Sequence, residues 1–182
     1  MQIKYNICMQ AIDQAVLNFF TNNRVEWLSF LMLVITYAGS YLVAGSLSLL
    51  SAISFYIHKH TYRILPLFLT VAGSTISTFI LKNIFYRARP VEAIYIENSF
   101  SFPSGHATVA MALYGFIFYV IWKHDKHHLR NPFIIFLAVL IVLIGLSRLY
   151  LGVHYLSDVL IGYTVGLFWL FISIRLTKSP HL

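Results

Sequence analysis

Three short segments of the sequence carry the cationic, imidazole and carboxylate side chains that phosphate chemistry uses. They read KNIFYRARP from residue 82, PSGH from residue 103 and SRLYLGVHYLSD from residue 147. Fixed cations can hold phosphoryl oxygens, and a histidine can transfer a proton while the ester bond breaks. Each segment borders a hydrophobic run. Together they indicate a site that binds a phosphate and breaks its ester bond at the edge of a membrane.

The first segment places Lys82 seven residues before Arg89, with Arg87 between them. Basic residues at the end of a membrane span usually extend to lipid headgroups, so these cations alone do not define a site. For Arg87, extension to the headgroups and a role in the site are equally good interpretations. The two segments that follow strengthen the interpretation of Lys82 and Arg89 as phosphate ligands.

The second segment begins a hydrophobic run with Pro103, Ser104, Gly105 and His106. Taken alone, it is best interpreted as an ordinary helix start, because Pro and Ser favour the first positions of a helix. The same start also offers unpaired backbone N–H groups and the positive end of the helix dipole to a phosphate. His106 would lie in the first turn, where it can donate a proton to a leaving oxygen.

The third segment contains Ser147 and Arg148, followed by His154 and, four residues later, Asp158. A carboxylate in a hydrophobic run costs about 2.5–3.5 kcal/mol on membrane-insertion scales unless it is paired or near an edge. The spacing puts both side chains on one helical face, where the carboxylate can hold one ring nitrogen and leave the other free. Alone, the pair is slightly better explained as a structural hydrogen bond. Because all three segments fall on the same predicted side of the membrane, a common site is favoured.

The complete pattern, Lys-x6-Arg-Pro, Pro-Ser-Gly-His and Ser-Arg-x5-His-x3-Asp, resembles the signature of the type 2 phosphatidic acid phosphatase superfamily. Every signature position is matched between residues 82 and 158. The resemblance implies an all-α, polytopic transmembrane helical bundle and a hydrolase acting on phosphoric esters. It implies that His154 attacks phosphorus and forms a phosphohistidine, that Asp158 orients it, and that His106 protonates the leaving oxygen.

The resemblance also implies a set of phosphate-binding residues: Lys82, Arg89, Ser104, Gly105 and Arg148. Three cations and a helix terminus supply the charge stabilisation that phosphoryl transfer needs, so we expect neither a metal nor another cofactor. Five of the other six histidines are interpreted as solvated cytoplasmic-loop residues and not as metal ligands: His58, His60, His124, His127 and His128.

The composition is that of an integral membrane protein. Of 182 residues, 59% are hydrophobic and 10% are charged, and the mean hydropathy is +0.75; soluble domains average about 25% charged residues. We predict one domain over residues 1–182. The net charge of +7 is dispersed along the chain and forms no basic stripe, which excludes nucleic acid as a partner. The single cysteine, Cys8, excludes an internal disulfide, and no cleavable signal peptide is recognisable.

Five hydrophobic stretches are long enough to cross a bilayer: 40–57, 64–82, 105–122, 132–150 and 155–174. An interfacial helix is predicted before them, over about residues 11–37, from apolar residues at helical spacing. Gly39 and Ser40 are the predicted break between this helix and the first span.

Basic residues fix the orientation of the predicted spans. They are concentrated in the loops 58–63 and 123–130 and in the tail from Arg175, which are therefore cytoplasmic by the positive-inside rule. The three segments that carry the chemistry then face the outside. Since the compact size and short loops resemble bacterial relatives, we predict an inner-membrane protein with its site facing the periplasm.

The expected substrate is a lipid phosphate: phosphatidylglycerophosphate, phosphatidic acid or undecaprenyl diphosphate. Gly105 argues weakly against undecaprenyl diphosphate, because some undecaprenyl-diphosphate phosphatases of the family carry Asp at this position. Membrane lipids are the other expected partners, and no obligate protein partner is predicted. Glu92 and Glu97 are interpreted as solvated residues of the outer loop. The alternatives are a lipid-to-lipid phosphotransferase or lipid A phosphatase of the same fold, and a non-catalytic transporter or scaffold.

Overall fold

The computed structural model describes residues 2–124 and 128–176, with side chains from residue 9 onward. These residues form seven α-helices and no strand, which confirms the all-α prediction for the part of the chain described. In chain order the helices are α1 (Gln2–Asn22), α2 (Glu26–Tyr37), α3 (Tyr41–Ile57), α4 (Ile64–Phe85), α5 (Gly105–His124), α6 (Arg130–Tyr150) and α7 (Leu156–Leu176). A single 3-10 turn, Thr61–Arg63, leads directly into α4.

The number of membrane spans agrees with the sequence. Within the described residues, four helices are long and apolar enough to cross a bilayer: α4 with its preceding 3-10 turn, α5, α6 and α7. Helices α2 and α3 pass the same test together, with a bend of 45° between them, and count as a fifth span if they are taken as one. The predicted break between them is confirmed, because Ser40 caps α3 by accepting a hydrogen bond from the Val43 N–H at 3.3 Å.

The predicted interfacial helix over 11–37 is wrong in its bounds, because the chain breaks between α1 and α2. Arg24, in the break, donates to the carbonyl oxygen of Tyr150 at 3.0 Å, and the Val25 N–H donates to the Tyr150 hydroxyl at 2.8 Å. Residues between α1 and α2 therefore form hydrogen bonds with the end of α6 in place of a continuous helix. One face of α1 also packs on protein, since Asp13 and Leu17 are buried while Phe19 on the other face is exposed.

Helix α5 is the most buried of the four single-helix spans and packs against α4, α6 and α7. Its contact with α7 is close because α7 presents glycine there. A Cβ atom at Gly162 would lie 2.7 Å from the carbonyl oxygen of Ser104, and one at Gly166 would lie 2.5 Å from that of Thr108. Small residues allow this backbone approach between membrane helices. The contact fixes the start of α5 against the start of α7.

The alternating direction of the spans gathers the three sequence segments at one end of the bundle. Helices α4 and α6 end there, and α5 and α7 begin there. The described basic residues of the loops and tail lie at the opposite ends of the same helices: Lys59, Arg63, Lys123, Arg130 and Arg175. Of the basic residues that supported this orientation, Lys126 and Lys178 lie outside the described part of the chain, and so does His127, which was interpreted as a loop residue.

Candidate active site

A tight turn between α6 and α7 carries His154 into the protein. Gly152 in this turn has φ of +67°, a left-handed conformation that residues with a side chain adopt at a cost. A Cβ atom there would lie 2.2 Å from Nη2 of Arg24 and 3.0 Å from the carbonyl oxygen of Glu92. The turn therefore requires glycine, and it leaves His154 only 1% exposed.

The two ring nitrogens of His154 face groups of opposite charge. Nδ1 lies 3.4 Å from Oδ2 of Asp158, and Nε2 lies 3.1 Å from Nη1 of Arg89. These contacts fit one tautomer, in which Nδ1–H points at the carboxylate and the lone pair of Nε2 accepts from the guanidinium. In that tautomer Nε2 is the atom able to attack an electrophile.

The surroundings of His154 favour its neutral imidazole. Burial lowers its pKa well below the ordinary value, and the positive charges of Arg148, Arg89 and Lys82 lower it further. Burial and neighbouring cations both disfavour the imidazolium. A neutral imidazole retains the lone pair that a nucleophile needs.

Asp158 is buried at the start of α7 and is held from several directions. Its Oδ2 accepts from the Tyr155 N–H at 2.9 Å, and its Oδ1 accepts from Nη1 of Arg87 at 2.6 Å. Its own carbonyl oxygen accepts from the Ser104 N–H at 3.0 Å, which joins the second and third sequence segments. The carboxylate that faces His154 therefore has a fixed orientation.

Arg89 connects the outer loop to the imidazole of His154. Its Nη1, the atom beside His154, also donates to the carbonyl oxygen of Val153 at 2.8 Å. Its Nε donates to the carbonyl oxygen of Ser99 at 2.7 Å, and its Nη2 forms an ion pair of 2.6 Å with Glu97. The guanidinium thus lies between the imidazole and an acidic residue of the loop.

Arg148 is completely buried, at 0% exposed. Its Nη1 donates to Thr36 Oγ1 at 2.7 Å and to the Tyr95 hydroxyl at 2.6 Å, and its Nη2 binds Glu97. Its Nε has no hydrogen-bond partner among the described residues. A buried cation is stable only when it is paired, so the Glu97 carboxylate accounts for the position of this side chain.

Lys82 completes the set of cations. It is 8% exposed in the last turn of α4, and its ammonium group donates to the carbonyl oxygens of Phe100 and Ser101. It lines a cavity of about 470 Å³ together with Arg89 and Glu97. All three cations proposed from the sequence therefore approach one region.

Glu97 is not a solvated loop residue, and that interpretation of the sequence is wrong. Its carboxylate lies between the guanidinium groups of Arg89 and Arg148. Burial raises its pKa, but the charges of both arginines and a hydrogen bond from Arg148 outweigh burial and lower the pKa to about 2. The outer loop thus places a carboxylate on two of the cations that are candidates for binding phosphate.

The start of α5 lies against the same region. Ser104 is buried, and its Oγ has no hydrogen-bond partner among the residues described. A Cβ atom at Gly105 would lie 2.1 Å from the Tyr41 hydroxyl, so a larger residue there would displace the Tyr41 side chain. His106 lines a second cavity, of about 600 Å³, which it shares with Glu97. Glu97 therefore lies between the cavity of His106 and the cavity of Lys82.

The structure brings every residue proposed from the sequence to one end of the bundle, and it adds two that the sequence did not assign. Arg87, for which headgroup contact was an equal interpretation, binds Asp158. Asp13 of α1 binds Arg87 at 2.7 Å and is 1% exposed. A carboxylate in a largely apolar helix was the available signal for Asp13, but its helix was predicted to lie on the membrane surface.

Comparisons with known proteins identify relatives of this chain. The family model of the PAP2 superfamily matches residues 63–180. Phosphatidylglycerophosphatase B of Bacillus subtilis is 33% identical over 169 residues, which is 90% of this chain and 82% of that protein.

Two crystal structures share the fold. One is a transmembrane PAP2-type phosphatidylglycerolphosphate phosphatase from Bacillus subtilis, with a TM-score of 0.87 and 30% identity over 96% of this chain and 90% of the other. The second is LpxE of Aquifex aeolicus, with a TM-score of 0.69 and 26% identity over 90% of this chain and 94% of the other. The similarity therefore extends over nearly the whole bundle.

Proposed function

Because this chain belongs to the PAP2 superfamily and is a phosphatase acting on phosphoric esters, we propose that it hydrolyses a membrane lipid phosphate through a phosphohistidine on His154. The main support is the environment of that imidazole. Nδ1 faces Asp158 and Nε2 faces Arg89, a cation suited to phosphoryl oxygens. A nucleophile oriented by a third group is the usual arrangement in covalent catalysis.

In the first step, Nε2 of His154 forms a bond to phosphorus as the bond to the lipid oxygen breaks. The imidazole acquires positive charge, which the Asp158 carboxylate stabilises across Nδ1–H. His106, at the start of α5, donates its proton to the departing oxygen. The products of this step are a free lipid alcohol, or a lipid monophosphate if the substrate is a diphosphate, and phosphorylated His154.

In the second step, water attacks the phosphohistidine. His106, now neutral, accepts a proton from this water, and the bond between phosphorus and Nε2 breaks. Inorganic phosphate leaves, and both histidines return to their initial protonation states. His106 thus acts first as an acid and then as a base, and the proton that it donated in the first step is replaced in the second.

Charge stabilisation comes from Lys82, Arg89 and Arg148. Phosphoryl transfer depends mainly on positioning and on neutralising the equatorial oxygens, which fixed cations do without reorganising. Ser104 Oγ, which is buried and unpartnered among the described residues, is an additional donor. The Gly105 N–H lies at the amino end of α5, where the helix dipole also favours an anion.

Phosphatidylglycerophosphate is the substrate we propose to test first, with phosphatidic acid and undecaprenyl diphosphate as the other candidates. The similarity to a phosphatidylglycerophosphatase along 90% of the chain supports this choice. The chain is an integral membrane protein, and we propose that it lies in a bacterial inner membrane with the site facing outward, because the basic loops lie at the other end.

Phosphate release by the purified protein in detergent tests the proposal, with these three lipids as substrates and His154→Ala as the control. We expect release from at least one lipid, none by the variant, and an acid-labile phosphoryl label on the wild-type protein alone. Near-normal release by His154→Ala would contradict the mechanism. Activity should also persist in EDTA, whereas loss that a divalent ion restores would contradict metal-independent hydrolysis.

A further inference from the structure

We propose that Asp13 of α1 is a positioning residue for the nucleophile, acting through Arg87 on Asp158. The inference rests on the proposed function, because it concerns how His154 is held for attack. Asp13 lies outside all three sequence segments. It nevertheless lies one side chain away from the carboxylate that faces His154.

Asp13 accepts two hydrogen bonds from the start of α7. Its Oδ1 accepts from the Ser157 N–H at 2.9 Å, and its Oδ2 accepts from the Ser157 hydroxyl at 2.6 Å. A carboxylate at a helix amino terminus is favoured by the helix dipole. Since Ser157 adjoins Asp158, α1 fixes the turn of helix from which the orienting carboxylate projects.

Arg87 connects the two carboxylates with the two arms of one guanidinium. Its Nη2 binds Asp13 at 2.7 Å, while its Nη1 binds Asp158 at 2.6 Å and the Ser157 hydroxyl at 2.7 Å. The guanidinium carbon lies 4.2 Å from the centre of the Tyr155 ring, which fixes the plane of the fork. A planar fork can serve two carboxylates at once, whereas an ammonium group acts as a single point charge.

Sharing Arg87 preserves the negative charge that faces His154. Two carboxylates and one guanidinium leave one negative charge uncompensated. If Asp13 loses its charge, the guanidinium neutralises Asp158 alone, and the carboxylate stabilises the imidazolium of the attacking state less well. Asp13 thereby sets both the position of Asp158 and the charge that it presents.

The competing interpretation is that Asp13 only attaches α1 to the bundle, and Leu17 supplies the matched control. Leu17 is 3% exposed on the same helix, one turn along. Leu17→Ala removes buried contacts of α1 and leaves every charge in place, so it weakens the packing of the helix alone. A purely structural role for Asp13 would make Asp13→Asn and Leu17→Ala behave alike.

The experiment measures the single-turnover rate of phosphohistidine formation across pH 4–9 for the wild type, Asp13→Asn, Asp13→Glu and Leu17→Ala. For Asp13→Asn we expect a rate loss on the order of 10–100-fold, typical of outer residues that orient an active-site group. We expect a small change in KM and partial recovery in Asp13→Glu. Leu17→Ala should lower the melting temperature with a smaller effect on the rate.

The pH profile separates the two roles further. His154 must be neutral to attack, so loss of a nearby negative charge should move the acid limb of the Asp13→Asn profile to lower pH. The limb of Leu17→Ala should stay at the wild-type position. The charged groups that face His154 and stay unchanged in all variants are Lys82, Arg89, Glu97, Arg148 and Asp158.

Equal rate losses in Asp13→Asn and Leu17→Ala, with unshifted acid limbs, would overturn the proposal. If Asp13→Asn does not fold, Arg87→Lys takes its place, because lysine keeps the positive charge but cannot bind two carboxylates as a planar fork. Full activity of Arg87→Lys would also overturn the proposal. Failure of the proposed function is a separate result. It would appear as absence of phosphohistidine in the wild type, or as activity in His154→Ala.

Discussion

Glu97 binds the fully buried guanidinium of Arg148 from a loop outside the helices. The same carboxylate reaches Arg89, 2.6 Å away. These are two of the three cations that the proposed mechanism uses to neutralise a phosphoryl group. An anionic substrate must therefore share or replace the contacts that Glu97 makes.

Glu97→Gln should strengthen the binding of inorganic phosphate at the site. The amide is neutral, so both arginines keep more of their positive charge for a phosphate. We expect the inhibition constant of phosphate to fall by roughly tenfold, which corresponds to about 1.4 kcal/mol. Glu92→Gln is the matched control, because Glu92 belongs to the same loop and contacts Arg24 through its backbone oxygen. Unchanged or weaker phosphate inhibition in Glu97→Gln would contradict competition between Glu97 and phosphate for the two arginines.

Stability should depend on pH through the same carboxylate. Its pKa of about 2 in the folded protein is below the ordinary value of 4.5, so its ionised form stabilises the fold above pH 4.5. That contribution, on the order of 2–3 kcal/mol, should be lost as the pH falls from 4.5 to 2. Melting temperatures in detergent measure it: wild type should exceed Glu97→Gln at pH 6, and the difference should shrink toward pH 2. A difference in melting temperature that stays constant from pH 6 to pH 2 would argue against this contribution of Glu97.

Asp158→Asn should leave the helices intact and slow phosphohistidine formation by roughly three or four orders of magnitude, as for other carboxylates that orient a histidine. The amide stabilises an imidazolium poorly, and it deprives Arg87 of an anionic partner. Single-turnover rates and circular dichroism measure the two effects. A loss below tenfold in a folded variant would show that Asp158 is not the orienting group.

Gly162→Ala should reduce both stability and activity. Its methyl group would meet the Ser104 carbonyl oxygen at 2.7 Å, so α5 and α7 would have to separate. Overpacking of this kind costs about 1–3 kcal/mol, and here it displaces Ser104 relative to Asp158. Gly45→Ala on α3 is the matched control, since no atom lies within 4 Å of the position that its methyl group would take. Equal melting temperatures and rates for the two variants would refute the close helix contact.

The sequence was sufficient for the membrane-spanning helices and for the placement of the three segments at one end of the bundle. Long apolar runs predict membrane spans, and successive spans cross the membrane in alternating directions. The sequence alone therefore predicts that Lys82, His106 and His154 lie at the same end of the bundle. The break at Gly39 was also visible, because a single helix from Trp27 to Ile57 would be too long for one crossing.

The sequence was insufficient where long-range pairing decides the role of a charge. Glu97 resembles any polar loop residue until the fold places two arginines around it. Arg87 and Asp13 are 74 positions apart, so local spacing carries no sign of their contact. Apolar periodicity in α1 predicted contact with lipid, but the buried partners of Asp13 and Leu17 come from elsewhere in the chain.

The contact between Asp13 and Ser157 spans 144 positions of the chain, from the first helix to the last. During synthesis, α1 enters the membrane region long before its partner exists. His154 and Asp158, the proposed nucleophile and its orienting carboxylate, follow six of the seven described helices along the chain. A chain synthesised only as far as α6 lacks α7 and its contacts with Asp13, so we expect the proposed site to assemble only after α7 has packed against α1.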